Sequence, residues 1–216
     1  MDKRPANLEE FFSNRPRRIY KEGQIIIRAD ESPNGVYLIE KGFVKLYSLG
    51  NNGEERDRIF YKQGDIFPLV WTFTSTMRNM FFEAMTDCIL KKVSKAEFMD
   101  FVKNDNKHLL EAIDRILVIL NVYVDRVDNL SYEKTYNRLI STILFLGKRF
   151  GKHYGKSLLL DIPITHKDIA NSTAMSRETV SREIEKMAKD GLLVQRGRII
   201  VINDIKKLKK ELETNS

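Results

Sequence analysis

The stretch THKDIANSTAMSRETVSREIEKMAKDG, residues 165–191, decides how the C-terminal part of this chain folds. Thr165 is placed to cap a helix running through His166-Lys167-Asp168-Ile169-Ala170-Asn171, and Asp168 stands three residues on, where it closes a capping box and complements the helix dipole. Ser172-Thr173-Ala174-Met175 reads as a tight turn. Ser176 then caps a second helix, Arg177 to Lys189, in which Val180, Ile184 and Met187 recur at the spacing of an inward face. Arg177, Glu178, Ser181 and Arg182 fall on the outward side near its start. Ala170 is small enough to let two helices cross closely, and Gly191 ends the second.

Past Gly191, the apolar runs Leu192-Leu193-Val194 and Ile199-Ile200-Val201-Ile202 flank Gln195-Arg196-Gly197-Arg198. Two strands and a turn of this kind make a β-wing, with Arg196 and Arg198 placed at its tip to meet phosphates. A reader of the DNA major groove needs donors and acceptors on the first turns of a helix. Arg177 and Arg182 can donate to guanine O6 and N7, and Glu178 can accept from a cytosine N4 amino group. Each of these residues alone would be an ordinary solvated ion-pair face. The order helix, turn, capped helix, wing is what turns them into a reading surface, together with Thr165, His166, Ser176, Thr179 and Ser181. His166, at the start of the first helix, is expected to face phosphates.

Charge agrees with this assignment. The net +7 is not spread along the chain: residues 1–131 hold 20 Lys+Arg against 20 Asp+Glu, and residues 132–216 hold 17 against 10. A localised basic excess is the footprint of a nucleic-acid-binding domain. No apolar run approaches the roughly 20 residues that span a bilayer, and the start MDKRPANLEEFF lacks the apolar core of a signal peptide, so a cytoplasmic protein without a membrane partner is expected.

Cys88, the only cysteine, allows no internal disulfide, no cysteine zinc site and no iron–sulfur cluster; its run Cys88-Ile89-Leu90 reads as a buried thiol. His108, His153 and His166 show no metal spacing and read as polar surface. An enzyme built on the N-terminal part would need clustered His and carboxylate ligands, and no His precedes residue 108, so no enzymatic activity is expected.

From about Arg17 to Phe98 the pattern is one of short strands between turns. Ile25-Ile26-Ile27, Val36-Tyr37-Leu38-Ile39, Phe43-Val44-Lys45-Leu46-Tyr47, Arg58-Ile59-Phe60 and Cys88-Ile89-Leu90 are the strands, and Gly50-Asn51-Asn52-Gly53 is a hairpin turn. Between Asn106 and Leu130 the period becomes helical. Leu110, Leu117 and Val124 fill one heptad position, Ile113, Leu120 and Val127 the other, a seam suited to a second copy of the helix. The flanking Leu109, Ile116 and Tyr123 predict a neighbouring face that packs on the chain's own β-domain. A further amphipathic helix covers 134–150. The class is α+β: an N-terminal β-roll of jelly-roll type over 1–105, a dimerisation helix over 106–131 and a winged helix-turn-helix over 132–216.

The motif Thr165-His166-Lys167-Asp168-Ile169-Ala170 followed by Met175-Ser176-Arg177-Glu178-Thr179-Val180-Ser181-Arg182 resembles the signature of the Crp/Fnr regulators. Gly35-Val36-Tyr37-Leu38-Ile39-Glu40-Lys41-Gly42 and Gly64-Asp65-Ile66-Phe67 are similar to that family's β-roll turns. The resemblance implies a homodimer on double-stranded, palindromic DNA, with RNA polymerase as a further partner and an effector at the β-roll. Ala174 stands where the family often has Gly. Arg177-Glu178 resembles one type of reader in the family and Glu178 with Ser181-Arg182 another, so TGTGA-like and TTGA-like half-sites both stay open.

The family's cyclic-nucleotide cassette is matched only in part. Arg78 falls at its arginine, but Asn79 replaces a small hydroxyl residue, Phe67-Pro68 replace Gly-Glu, and Tyr123-Val124 stand where hydroxyl residues would meet the base. Arg78, Asn79 and Tyr123 form the candidate effector site, and tight cyclic AMP binding is not expected there. The apolar stretch from Phe67 to Phe73 suits either a pocket for an apolar ligand or plain core packing. A ligand-binding module in which DNA binding is secondary is the alternative function.

Overall fold

The computed structural model describes residues 6–76 and 79–215, apart from the side chains of Asp57, Arg58 and Asn215. The chain divides into two compact units, Met1–Val122 and Tyr123–Ser216.

The first unit begins with α1 (Leu8–Ser13) and continues through β1 (Arg17–Tyr20), β2 (Ile25–Ile27), β3 (Val36–Lys41), β4 (Val44–Leu49), β5 (Glu55–Tyr61), β6 (Ile66–Phe67), α2 (Leu69–Thr74), β7 (Phe81–Ala84), β8 (Cys88–Val93) and α3 (Lys95–Lys103). Its strands form two antiparallel sheets, β1-β8-β3-β6 and β2-β7-β4-β5. Alternation along the strands sends successive side chains to opposite faces, and the two faces of the first sheet are used differently. Val36, Leu38 and Ile66 lie in one cluster with Leu8, Phe11 and Phe12 of α1 and Phe98 and Val102 of α3, so the helices cover that face. Tyr37 and Phe67 point the other way, toward the second sheet: Tyr37 stacks on Phe67 at 5.4 Å, and Phe67 stacks on Phe82 at 4.9 Å. Tyr61 completes the group, 5.6 Å from Phe67 and 6.0 Å from Phe82. The interior of the roll is therefore aromatic.

All five expected strands are present, and the Gly50–Gly53 turn joins β4 to β5. The segment after Phe67 that could have lined a pocket is the short α2, with Leu69 and Thr72 buried. Cys88 is fully buried, and burial pushes its thiol up from the ordinary range. At Gly42, φ is 97°, and a Cβ there would stand 2.6 Å from the Cys88 sulfur.

Helix α4 (Asn106–Ser131) carries the heptad pattern, and the division between the units falls inside it, between Val122 and Tyr123. The pattern of the sequence places the boundary near Ser131, at the end of this helix. The last turns of α4 instead belong with α5 (Thr135–Phe150), because Lys148 pairs with Asp125 at 3.0 Å and the Ser141 hydroxyl donates to Asn129. The start of α4 belongs with the roll: Arg115 donates to the Gly64 carbonyl at 2.6 Å, and Ala112 is fully buried. His108 corrects the expectation of three surface histidines. It is 6% exposed, with its ring stacked 4.0 Å from that of Phe101, because it falls on the helix face turned to α3.

The second unit continues with β9 (Gly151–Tyr154), β10 (Ser157–Leu160), α6 (His166–Thr173), α7 (Arg177–Lys189), β11 (Leu193–Arg196), β12 (Ile199–Ile202) and α8 (Ile205–Asn215). Its sheet runs β11-β12-β10-β9, all antiparallel. Among the described residues, no helix is long and apolar enough to cross a membrane.

Candidate nucleic-acid interface

Both helices of the motif start on side-chain caps. At α6 the Thr165 backbone N–H donates to Asp168 Oδ2 at 2.8 Å, and the Asp168 N–H donates to Thr165 Oγ1 at 3.1 Å, closing the capping box. At α7 the Thr179 N–H donates to Ser176 Oγ at 3.1 Å. The turn between them needs a residue at positive φ, and Ala174 supplies it at φ 54° and ψ 41°. Ile169, Ala170, Val180, Ile184 and Met187 are buried. Burying that stripe fixes which side of α7 is left to solvent: Arg177, Glu178 and Arg182 are exposed, and Thr179 and Ser181 are half-buried.

The exposed groups have the polarity needed to read base edges. The Glu178 carboxyl is held below the usual carboxylate range by its own backbone N–H and the Ser176 hydroxyl, so it is an ionised acceptor at neutral pH. Arg182 donates through Nε and Nη2 to Glu183 Oε1, each at 3.3 Å. The arginine side of that pair is 71% exposed. The Glu183 side is 14% exposed, so the guanidinium, not the carboxylate, is the half of the pair open to a base edge.

Two residues expected to face phosphates are engaged within the domain. Arg196 is exposed on β11, but Arg198 is half-buried and its Nη2 donates to the Pro163 carbonyl at 3.4 Å. The Arg198 carbonyl accepts from the Ile164 N–H at 2.9 Å, so this residue fastens the wing to the segment that enters α6. His166 also turns inward. Its Nδ1 lies 3.1 Å from Ser181 Oγ and its Nε2 lies 2.6 Å from Gln195 Oε1. Gln195 and Glu183 were not singled out from sequence. Their partners lie 29 residues away and one residue away, and neither spacing belongs to a motif.

In the first unit, Arg78 lies outside the described residues and Asn79 is exposed; Tyr123, half-buried, begins the second unit. On α4, Leu110, Ile113, Leu117, Leu120, Val124 and Val127 are all exposed, at 61%, 38%, 46%, 55%, 50% and 67%.

Residues 17–105 match the model of the cyclic nucleotide-binding domain and residues 137–211 that of the Crp-like helix-turn-helix domain. The chain is 24% identical over 196 residues to the anaerobic regulatory protein of Haemophilus influenzae, covering 90% of this chain and 76% of that one. It is 25% identical over 196 residues to the cAMP-activated global transcriptional regulator CRP of Salmonella typhimurium, covering 90% and 93%. The solved structure of FixK2 from Bradyrhizobium japonicum superposes with a TM-score of 0.78 at 21% identity, over 91% of this chain and 96% of that one.

Proposed function

Since the chain belongs to the Crp/Fnr family of transcription regulators, we propose that it binds a palindromic DNA operator as a homodimer, controlled by a ligand at the β-roll. The observation that carries the DNA reading is the first turn and a half of α7. There the buried Val180, Ile184 and Met187 leave Arg177, Glu178 and Arg182 exposed on a capped helix beside a wing. The dimer rests on the six exposed seam residues of α4, and RNA polymerase is proposed as the partner that a family regulator would engage on DNA.

The test is selection of bound sequences from random duplexes, followed by single substitutions. Arg177→Ala and Arg182→Ala each lose about 1–3 kcal/mol at one specific base position, whereas Arg196→Ala weakens binding evenly across sequences. Equal, sequence-blind losses from all three would remove α7 from the reading role.

The effector is not tightly bound cyclic AMP. Pro68 has neither a backbone N–H for a phosphate nor a carboxylate for a ribose hydroxyl. Tyr37, Tyr61, Phe67 and Phe82 already fill the interior of the roll, and Val124 offers no hydroxyl to a base. Each nucleotide polar group left without a partner loses about 1–3 kcal/mol. Calorimetric titration with cyclic AMP and cyclic GMP is expected to give no micromolar binding. A micromolar constant abolished by Arg78→Ala would instead establish a working nucleotide site.

A further inference from the structure

We infer that Ser181 reads the operator only as a hydrogen-bond acceptor, and that His166 imposes this by accepting the hydroxyl's one hydrogen bond. The inference rests on the DNA-reading role proposed for α7 and narrows the chemistry of the base it can accept there.

The starting point is an acceptor that cannot be anything else. The Gly197 carbonyl receives a hydrogen bond from Gln195 Nε2 at 3.0 Å. A carbonyl oxygen only accepts, so the amide atom facing it must be the NH2 group, and the amide's orientation follows. Gln195 Oε1 then faces His166 Nε2 at 2.6 Å, and since Oε1 also only accepts, Nε2 must carry the imidazole proton. In a neutral imidazole the other nitrogen is bare. With the ring neutral, His166 Nδ1 is an acceptor, and its partner 3.1 Å away, the Ser181 hydroxyl, donates to it.

A serine hydroxyl has one proton and two lone pairs. With the proton committed to His166, what Ser181 has left for a base edge is its lone pairs. The groups in the major groove that can use them are the exocyclic amino groups, adenine N6 and cytosine N4; guanine O6, thymine O4 and purine N7 are acceptors and find no donor. The relay Gly197, Gln195, His166, Ser181 runs from the wing turn through α6 into the recognition helix, so the wing sets the polarity of a base-reading position. His166 acts here as a positioning residue.

The test uses the full chain at mildly alkaline pH, which favours the neutral ring that the relay requires. Sequence selection with the unmutated protein and with Ser181→Ala identifies the base pair whose preference depends on Ser181. Duplexes are then made in which the exocyclic amino group of that pair is replaced by hydrogen, or its exocyclic oxygen is removed instead. Removing the amino group is expected to weaken the unmutated protein about three- to tenfold and to leave Ser181→Ala unchanged, the net effect of one neutral hydrogen bond. Removing the oxygen is expected to weaken both proteins equally. His166→Phe, which keeps a ring and deletes both nitrogens, frees the hydroxyl to donate and should make the oxygen matter as much as the amino group.

A Ser181-dependent loss on removing the oxygen from the unmutated protein's site overturns the inference, as does a Ser181→Ala variant with an unchanged sequence preference. Failure of the unmutated protein to select any sequence is a different result: it removes the DNA-reading role on which the inference stands.

Discussion

Ala174 occupies the left-handed region at the corner between α6 and α7, where its Cβ crowds the following carbonyl. That conformation costs an L-residue about 1–2 kcal/mol. It persists because the corner is held from both sides, by the Ala174 N–H and the Met175 N–H donating to the Ala170 carbonyl and by the burial of Ala170 and Val180 across it. Glycine would remove the crowding but brings a larger loss of chain freedom on folding, about 0.5–1 kcal/mol. Ala174→Gly is therefore expected to stabilise the domain by about 0.5–1 kcal/mol, read as a rise in the denaturant midpoint with unchanged slope and operator affinity. A lower midpoint would mean that the turn carries no such strain. The departure from glycine at this position was visible in the sequence through the resemblance to a family that often has Gly there. That Arg198 and not Arg196 turns inward was not visible. Both flank the same glycine, and only the strand register, Arg196 opposite Ile199, decides which arginine turns toward Pro163.

At the scale of elements, legibility followed periodicity. Helix α4, the strands β3, β4 and β8, and the pair α6–α7 each repeat an apolar pattern over several turns or pleats, and the structure has them where that pattern lies. The elements that went unread are short or charged. Helix α3 has only Phe98 and Val102 buried, β6 is two residues long, and α8 opens on a lysine run, Lys206-Lys207-Leu208-Lys209-Lys210. Yet Leu208, on α8, is fully buried and the helix packs on α5. Its outer residues are tied in as well: the Tyr136 hydroxyl lies 3.5 Å from Glu211 Oε1, and Lys186 of α7 sits 4.6 Å over the Tyr136 ring. Burial, with Glu211 beside it, pushes the Tyr136 phenol up to about 12, so it stays a donor across the physiological range. Leu208→Ala is expected to lower the stability of the second unit by about 2–5 kcal/mol in urea unfolding followed by circular dichroism. A loss below about 1 kcal/mol would show that the seat of α8 collapses freely, contrary to its packing.

The whole molecule has to resolve two surplus surfaces, one apolar and one basic. The six seam residues of α4 are all exposed in the single chain, with Val118 adding a seventh at 52%. A row of large apolar groups this long on one helix is rarely left in water, and its heptad spacing fits a copy of the same helix. The basic excess lies wholly in residues 132–216, the part for which DNA binding is proposed. In the proposed homodimer, two such copies would match two half-sites about one helical turn apart and make the second half-site contact intramolecular. Linkage of that kind raises affinity about 10²–10⁴-fold with no new contact to DNA. Leu117→Glu combined with Leu120→Glu places carboxylates on the seam without touching the buried face of α4, where His108, Ala112, Ile119 and Val122 lie. The variant is expected to sediment as a folded monomer and to bind the operator at least about 100-fold more weakly, while keeping the base preferences of α7 at a single half-site. If the unmutated chain itself sediments as a monomer at micromolar concentration and still binds the palindrome tightly, the seam is not what joins the two recognition helices.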